Sequence, residues 1–348
     1  MAESGYGPLS RLLHRVALAG DAVADLSQEI EFRINPGARA AVQAPVFVAG
    51  LARAGTTLLM RLLHETGEFA SLTYRDMPFP MAPSLWGRLN ALSMKRGELA
   101  ERAHGDGLLV DFDSPEALEE VFWRVHCARD YLSSGHLRPM AVTADVARKF
   151  RRYVGCICHH HGRPRYLSKN NNNILRLAGL KQAFPDAVLL APFREPVQQA
   201  WSLLSQHRRF SELHAQDRFA RDYMGWLVHH EFGGDHRPFL WPNGQTATAS
   251  PEQLDYWLTQ WLNTYGALLR MQSDQPSLGL GFVSYERLCA RPREVWQSLA
   301  ARAALTASEL RDPGQLHAPR TLPAAAQVDP VLLRRAGEIH AELQRKAI

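Results

Sequence analysis

The segment with the clearest chemical potential is the loop at residues 50–57, which has the spacing G-x-x-x-x-G-T-T. It follows the apolar run 46–49 and opens an amphipathic stretch, so we predict a turn from a buried strand into a helix N-terminus. Backbone N–H groups and the positive end of the helix dipole bind phosphate or sulfate at such a turn. Arg53 places a cation inside the loop, whereas Thr56 stands where the loop of an ATP-binding protein has lysine.

A second candidate anion site begins at Arg194, directly after the apolar run 187–193. Pro196 is typical of the first turn of a helix, and Ser202 follows on that predicted helix. Ligands of parallel α/β sheets bind at the carboxyl ends of the strands, so Arg194 and Ser202 are predicted to hold one phosphate. The alternative for Arg194 is a surface ion pair with Glu195 or another acid.

Lysine is rare in this chain, which makes the position of each one informative. It occurs at positions 95, 149, 169, 181 and 346 only, so 35 of the 40 basic residues are arginine. Lys169 follows the predicted strand 166–168 and precedes four consecutive asparagines. There it is predicted to neutralise charge on a bound anion, the alternative being a solvated loop lysine.

Together these motifs resemble the PAPS-dependent sulfotransferases, where PAPS is 3′-phosphoadenosine 5′-phosphosulfate. The resemblance is strongest to the bacterial branch, which is similar to the tyrosylprotein-type and carbohydrate enzymes. It rests on the loop with Arg53, the Lys-Asn pair at 169–170, the R-E-P motif at 194–196 with Ser202, and the S-Y-E-R-L segment at 284–288, and it spans about residues 45–300. The chain departs from the family where A-R-A replaces P-R-S at 52–54 and where Asn171 replaces proline.

The resemblance implies roles for individual residues. The 5′-phosphosulfate of PAPS is expected to bind to five loop residues, Arg53, Ala54, Gly55, Thr56 and Thr57. The 3′-phosphate, which distinguishes PAPS from ATP, is expected to bind to Arg194 and Ser202. By analogy the transfer requires no metal, since Arg53 and Lys169 neutralise the developing charge.

Sulfuryl transfer to a hydroxyl also needs a general base. In the family the base is a histidine in some branches and a glutamate in others, and tyrosylprotein-type enzymes have that glutamate about twenty residues after the loop arginine. Asp76 stands 23 residues after Arg53. We therefore predict that Asp76 is the base, against the alternative of a turn residue or a partner of Arg75. The reserve candidates are Glu119, Glu120, His230 and His236.

These residues need a scaffold, and the alternation of apolar runs with amphipathic stretches predicts an α/β fold. The expected architecture is a three-layer P-loop NTPase-like domain with a central parallel sheet and helical and loop insertions. We predict a single sulfotransferase domain over residues 1–348, with its core at about 45–300. A helical lead-in at 1–40 and a helical tail at 329–348 complete it.

The composition excludes several other classes of protein. A formal charge of +5, with acids interspersed, does not predict a nucleic-acid partner, and no apolar run is long enough to span a membrane. Four cysteines are too few for a disulfide framework, so we expect a cytoplasmic protein without a leader peptide. The oligomeric state stays open, a homodimer being one option.

One tract invites a metal interpretation, the run C-I-C-H-H-H at residues 156–161. Zinc sites usually draw their ligands from two separated places, and no second Cys/His pair lies nearby. We therefore predict no metal site and a solvated helix end. Two rivals to the sulfotransferase remain: a P-loop kinase or NTPase acting on a small molecule, which the threonine at 56 disfavours, and a non-enzymatic Arg-rich anion-binding protein.

Overall fold

The computed structural model describes residues 7–36, 42–90, 100–101, 109–110, 117–306 and 328–348. Its main sheet has five parallel strands in the order β2, β5, β1, β6, β7, and β3 pairs with β4 in a separate antiparallel ribbon. The strands are β1 (Val46–Val48), β2 (Phe69–Ala70), β3 (Ala100–Glu101), β4 (Leu109–Val110), β5 (Arg165–Lys169), β6 (Val188–Phe193) and β7 (Leu280–Ser284). The predicted α/β class with a central parallel sheet is confirmed.

Helices fill the connections between the strands. In chain order they are α1 (Pro8–Leu18), α2 (Asp21–Ile34), α3 (Thr56–His64), α4 (Pro83–Asn90), α5 (Glu120–Tyr131), α6 (Ala144–His161), α7 (Leu177–Ala183), α8 (Pro196–Gln216), α9 (Arg218–Trp226), α10 (Leu254–Asp274), α11 (Tyr285–Ala290), α12 (Pro292–Arg302) and α13 (Pro330–Lys346). None of the described helices combines the length and apolar character needed to cross a bilayer.

The sheet separates two apolar clusters, which makes the fold three-layered. In β1, Val46 and Val48 face a cluster built with α3 and α12, whereas Phe47 faces a larger cluster built with helices such as α5, α6, α8 and α10. Strands buried on both faces read as continuous apolar runs, which is why the sequence reveals β1 and β6. The two-residue strand β2 carries too little sequence signal, and the prediction missed it.

The register of the strands aligns the residues that follow them. Lys169 at the end of β5 is level with Val48, two residues before the loop begins. Phe193 of β6 is level with Ser284 of β7, so Arg194 and Tyr285 leave the sheet side by side. The carboxyl edge of the sheet therefore collects the loop 50–57, Lys169 and Arg194, as predicted for a parallel sheet. That the whole chain forms one domain stays a prediction.

Candidate active site

The loop 50–57 turns directly into α3, whose first residue is Thr56. Gly55 has φ +90, and a Cβ built on it would lie 2.6 Å from Cδ2 of Tyr285. Only glycine combines that left-handed backbone with so close an approach. Arg53 also has a positive φ, 69, a conformation that non-glycine residues adopt mainly where the surrounding structure holds them at functional sites.

Arg53 connects the loop to helix α8. Its Nε donates a hydrogen bond of 3.0 Å to the Ser202 hydroxyl. These two residues belong to the two separate anion motifs of the sequence, so the fold brings both motifs into one place. Helix α3 begins at Thr56 in the same loop, and the first backbone N–H groups of a helix have no partner within it.

Arg194 lies against the same aromatic ring that packs on Gly55. Its guanidinium carbon is 5.0 Å from the centroid of the Tyr285 ring. Its Nε is buried and has no hydrogen-bond partner in the part of the chain that the structure describes. The alternative of an ion pair with Glu195 is not seen among the described residues, because Glu195 instead caps α8 by accepting from the backbone N–H groups of Val197 and Gln198.

Gln199 connects the loop 50–57 to Arg194 through its buried side-chain amide. Its side-chain amide donates to the carbonyl of Ala52 at 3.0 Å and accepts at Oε1 from the indole N–H of Trp261 at 3.1 Å. The same Oε1 accepts the backbone N–H of Arg194 at 3.3 Å. A fully buried amide thus joins the loop to the start of α8, a link that spacing in the sequence does not reveal.

Lys169 ends β5 and is buried, and the asparagines after it each take a different partner. Asn171 contacts the loop through Thr56, with 3.4 Å between Thr56 Oγ1 and Asn171 Oδ1. Its amide nitrogen donates to Glu231 Oε1 at 2.7 Å. The asparagine that replaces the family's proline therefore links the anion loop to a carboxylate on a distant segment.

The comparisons with known proteins agree with this geometry. The sulfotransferase family profile matches residues 45–237, more than half of the chain. This chain belongs to the sulfotransferase family. Its match to that profile includes the loop, Lys169, Arg194 and Ser202.

A solved structure supports the fold of this sulfotransferase. The sulfotransferase STF1 from Mycobacterium tuberculosis H37Rv aligns with a TM-score of 0.56 and 18% identity over 97% of this chain and 88% of its own. The sulfotransferase STF9 from Mycobacterium avium aligns at 0.48 and 15% identity, covering 98% of this chain and 79% of its own. No curated protein sequence matches the chain. The P-loop NTPase-like fold is confirmed, whereas the similarity to tyrosylprotein-type enzymes stays a prediction.

Glu119 and Glu120, two reserve candidates for the base of this sulfotransferase, are fully buried at the start of α5. Glu120 forms an ion pair of 2.8 Å with Arg176 and accepts from the amide of Asn170 at 2.6 Å. Glu119 accepts from Tyr166 at 2.9 Å and from Asn173 at 3.0 Å. Both carboxylates hold the segment after β5 in place, and their oxygens are occupied by these contacts.

His230 and His236 are also held by their surroundings. Nδ1 of His230 bonds to the Asp235 carbonyl at 2.9 Å, and Nδ1 of His236 to the His230 carbonyl at 3.0 Å. Nε2 of His236 bonds to the Tyr256 hydroxyl at 2.8 Å. Burial lowers the pKa of each to about 4, so both are neutral at pH 7 and stabilise the segment before α10.

The sequence analysis missed Glu231, a buried carboxylate that the structure links to the loop through Asn171. Its side chain is 6% exposed, and His229 Nδ1 lies 3.6 Å from its Oε1. Burial alone would raise the pKa of Glu231, but His229, Lys169 and the amide of Asn171 hold it well below its usual range. Val228, just before this pair, has φ 54, an outlier for a β-branched residue. The only sequence signal was the run H-H-E at 229–231.

Asp76 has other neighbours than the predicted ones. It is 2% exposed in a 3-10 turn after β2, and its Oδ2 accepts the backbone N–H of Thr73 at 2.7 Å. This position agrees with one of the two alternatives given for Asp76, that of a turn residue. Its carboxylate faces His160 and His161 at the end of α6, at 3.7 and 3.5 Å. None of its described contacts is with the loop 50–57, so the role of general base stays a prediction without a supporting contact.

The cysteines of the tract 156–161 do not take part in the contacts between Asp76 and the two histidines. Cys156 and Cys158 are buried and unpaired, and burial raises the pKa of each thiol to about 12. A thiol that resists ionisation is a poor metal ligand. The two cysteines therefore belong to the core. His160 and His161, at the end of the same helix, lie beside Asp76 instead.

Proposed function

We propose that this sulfotransferase transfers the sulfuryl group of PAPS to a hydroxyl of an acceptor, a sugar, phenol, lipid or peptide tyrosine. The observation that carries the proposal is the buried, unpartnered Nε of Arg194 at the edge where Arg53 contacts Ser202. A buried guanidinium N–H without a partner is costly unless an anion satisfies it. The 3′-phosphate of PAPS fits that requirement, and the backbone N–H groups at the start of α3 suit the 5′-phosphosulfate.

The chain's own residues divide the chemistry among them. Arg53, Ala54, Gly55, Thr56 and Thr57 bind the phosphosulfate, while Arg194 and Ser202 bind the 3′-phosphate. Arg53 and Lys169 offset the negative charge that grows on the departing phosphate. PAPS, when bound, supplies the sulfuryl group: the acceptor oxygen bonds to sulfur as the bond from sulfur to the 5′-phosphate oxygen breaks, and that oxygen keeps the electron pair.

The acceptor proton requires a base, and the contacts favour His229 over Asp76. Glu231 faces His229 Nδ1 and orients the ring, so that Nε2 is the nitrogen that takes the proton. Glu231 itself binds a proton too weakly, since its pKa is held below the usual range, so its role is to orient the His229 ring. This division of roles follows the logic of a histidine oriented by a carboxylate.

We place the reaction in the cytoplasm, because all four cysteines are unpaired thiols. The transfer itself is proposed to need no metal, since cations of the chain lie at the anion site. A kinase or NTPase remains the rival function, and it requires magnesium-dependent turnover of ATP.

Titration calorimetry with adenosine 3′,5′-bisphosphate, adenosine 5′-monophosphate and ATP tests the proposal. We expect the bisphosphate to bind tightest, and Arg194→Ala to weaken it by about 30-fold or more, as for one charged contact. Because Arg194 is assigned to the 3′-phosphate, the monophosphate should lose little in that variant. Arg208→Ala, an exposed arginine on α8, is the matched control. Preference for ATP, or equal losses for both nucleotides, would contradict the assignment.

A further inference from the structure

A second cluster of polar side chains surrounds Asp76, the residue that the sequence analysis predicted as the general base. We call Asp76, His160 and His161 the His–Asp cluster. Nε2 of His160 is 3.7 Å from Asp76 Oδ1, and Nε2 of His161 is 3.5 Å from Asp76 Oδ2. One ligand atom from each residue lies within 4.8 Å of the other two. None of the three residues has a part in the proposed transfer beyond the untested prediction for Asp76.

The side chains are held in place by separate parts of the fold. Asp76 is fixed because Oδ2 accepts from the backbone N–H and the hydroxyl of Thr73, at 2.7 and 3.2 Å. The His160 ring packs on α4, where a Cβ at Gly87 would come within 2.8 Å of its Cε1. His161 Nε2 is buried without a hydrogen bond from any described residue. The cluster is therefore assembled by α4, the end of α6 and the turn after β2.

The spacing of the ligand atoms suits a metal better than a hydrogen bond. Both nitrogen–oxygen distances exceed the usual hydrogen-bond length of roughly 2.9 Å. Zinc bonds of roughly 2.0–2.1 Å to nitrogen and oxygen place neighbouring ligands of a tetrahedron about 3.3 Å apart. The separations of 3.7 and 3.5 Å, which run to Oδ1 and Oδ2 of Asp76 respectively, are close to that value. With one ligand atom from each residue, all separations are within 4.8 Å, so the side chains must close from at most that distance to bind one ion.

We propose that the His–Asp cluster binds a divalent transition metal, zinc in the first instance, with two imidazoles and one carboxylate as ligands. Imidazole nitrogens favour zinc and its neighbours over magnesium or calcium, which prefer oxygen ligands. A cavity of about 270 Å³ adjoins the cluster and leaves room for a water or anion as fourth ligand. Arg75 and His64 also line that cavity, and the positive charge of Arg75 suits an anionic fourth ligand.

The metal would join the end of α6 to the turn after β2. Of the described residues that line the cavity, none belongs to the loop 50–57 or to the Arg194–Ser202 site. The site is therefore distinct from the proposed transfer chemistry, and its test does not use sulfotransferase activity. The sequence analysis predicted no metal site, and local pattern could not reveal this cluster because Asp76 stands 84 residues before His160.

Zinc titration of the full chain tests the proposal, after removal of bound metal with a chelator and against a chromophoric competitor. We expect one zinc per chain, with Asp76→Asn and His161→Gln each lowering the affinity by at least about 10-fold. Asparagine keeps an oxygen for Thr73, so the turn should survive that change. His159→Gln is the matched control, because His159 is the exposed first member of the same histidine run and lies outside the cluster.

Cobalt binding supplies a second readout that does not depend on stability. The wild-type chain and the His159 variant should show the intense visible bands of tetrahedral Co²⁺, and the Asp76 and His161 variants should lose them while keeping the wild-type far-ultraviolet dichroism. An equal loss in His159→Gln would mean that the exposed run binds metal adventitiously, which overturns the site. Unchanged zinc affinity in Asp76→Asn would overturn it as well.

Discussion

Arg53 and Ser202 stand 149 residues apart, yet the Nε of Arg53 donates a hydrogen bond of 3.0 Å to the Ser202 hydroxyl. The contact joins the loop before α3 to the second turn of α8. It places the hydroxyl proposed for the 3′-phosphate beside the cation proposed for the phosphosulfate. The two sequence motifs are consequently in direct contact.

Ser202→Ala removes that contact. We expect about 10-fold weaker binding of adenosine 3′,5′-bisphosphate, the effect of one charge-assisted hydrogen bond of roughly 1.5 kcal/mol. Calorimetry measures it. Ser205→Ala is the control on the same helix, because Ser205 is exposed and its hydroxyl donates to the carbonyl of Trp201. Equal affinities for the two variants would contradict a ligand role for Ser202.

Gly55→Ala should disable the anion site, because the new methyl group meets Tyr285, the ring on which Arg194 stacks. We expect the affinity for adenosine 3′,5′-bisphosphate to fall by at least about 10-fold. Gly67→Ala is the matched control: its φ is +77, but a Cβ there meets nothing within 4 Å. Both variants lose about 1 kcal/mol of stability to backbone strain, and only Gly55→Ala should lose binding. Unaltered binding by Gly55→Ala would count against a contact between Tyr285 and the loop.

His229→Asn should lower kcat by about 10²–10⁴-fold, the usual contribution of a general base, with little change in the KM for PAPS. Glu231→Gln should lower kcat less, because the ring loses its orienting charge but keeps its nitrogen. Initial rates with a hydroxyl acceptor across pH give both values. Asp76→Asn is measured in parallel. If kcat falls further in that variant than in His229→Asn, Asp76 and not His229 is the general base.

Acid should destabilise the fold as the pH falls from about 6.5 to 5.5. The pKa of His236 is lowered to about 4 in the folded state, mainly by burial, so the unfolded chain binds the proton first as the pH falls. Stability is therefore present above about pH 6.5 and declines below it, by up to roughly 1.4 kcal/mol per pH unit for each such group. Glu231 adds nothing in this window, since its depressed pKa keeps it ionised and an unfolded carboxyl is ionised too.

Urea unfolding at several pH values tests this dependence. His236→Gln should reduce the slope of stability against pH, because glutamine carries no proton equilibrium. His159→Gln, which alters an exposed histidine, should keep the wild-type slope. The explanation would be wrong if the wild-type chain were as stable at pH 5.5 as at pH 7.5.

Much of the fold could be predicted from local pattern. The strands β1, β6 and β7 are apolar runs bounded by proline, glycine or polar residues. The helices after β6 and β7 are capped by the side chains of Glu195 and Ser284, whereas α3 follows Gly55 without a side-chain cap. The loop with Arg53 and the Arg194–Ser202 pair follow from spacing and from the family resemblance. β2 was missed because two residues cannot display a period.

The sequence by itself predicted which groups are suited to bind anions, because a glycine-bounded turn into a helix exposes its backbone N–H groups wherever it occurs. Only the tertiary structure decided which of the side chains contact one another. Asn171 bonds to Glu231, which is 60 residues away in the sequence. Asp76 contacts His160 and His161 and not the loop 50–57. Such pairs depend on how whole elements pack against one another, and a local period of 2 or 3.6 residues carries no record of that packing.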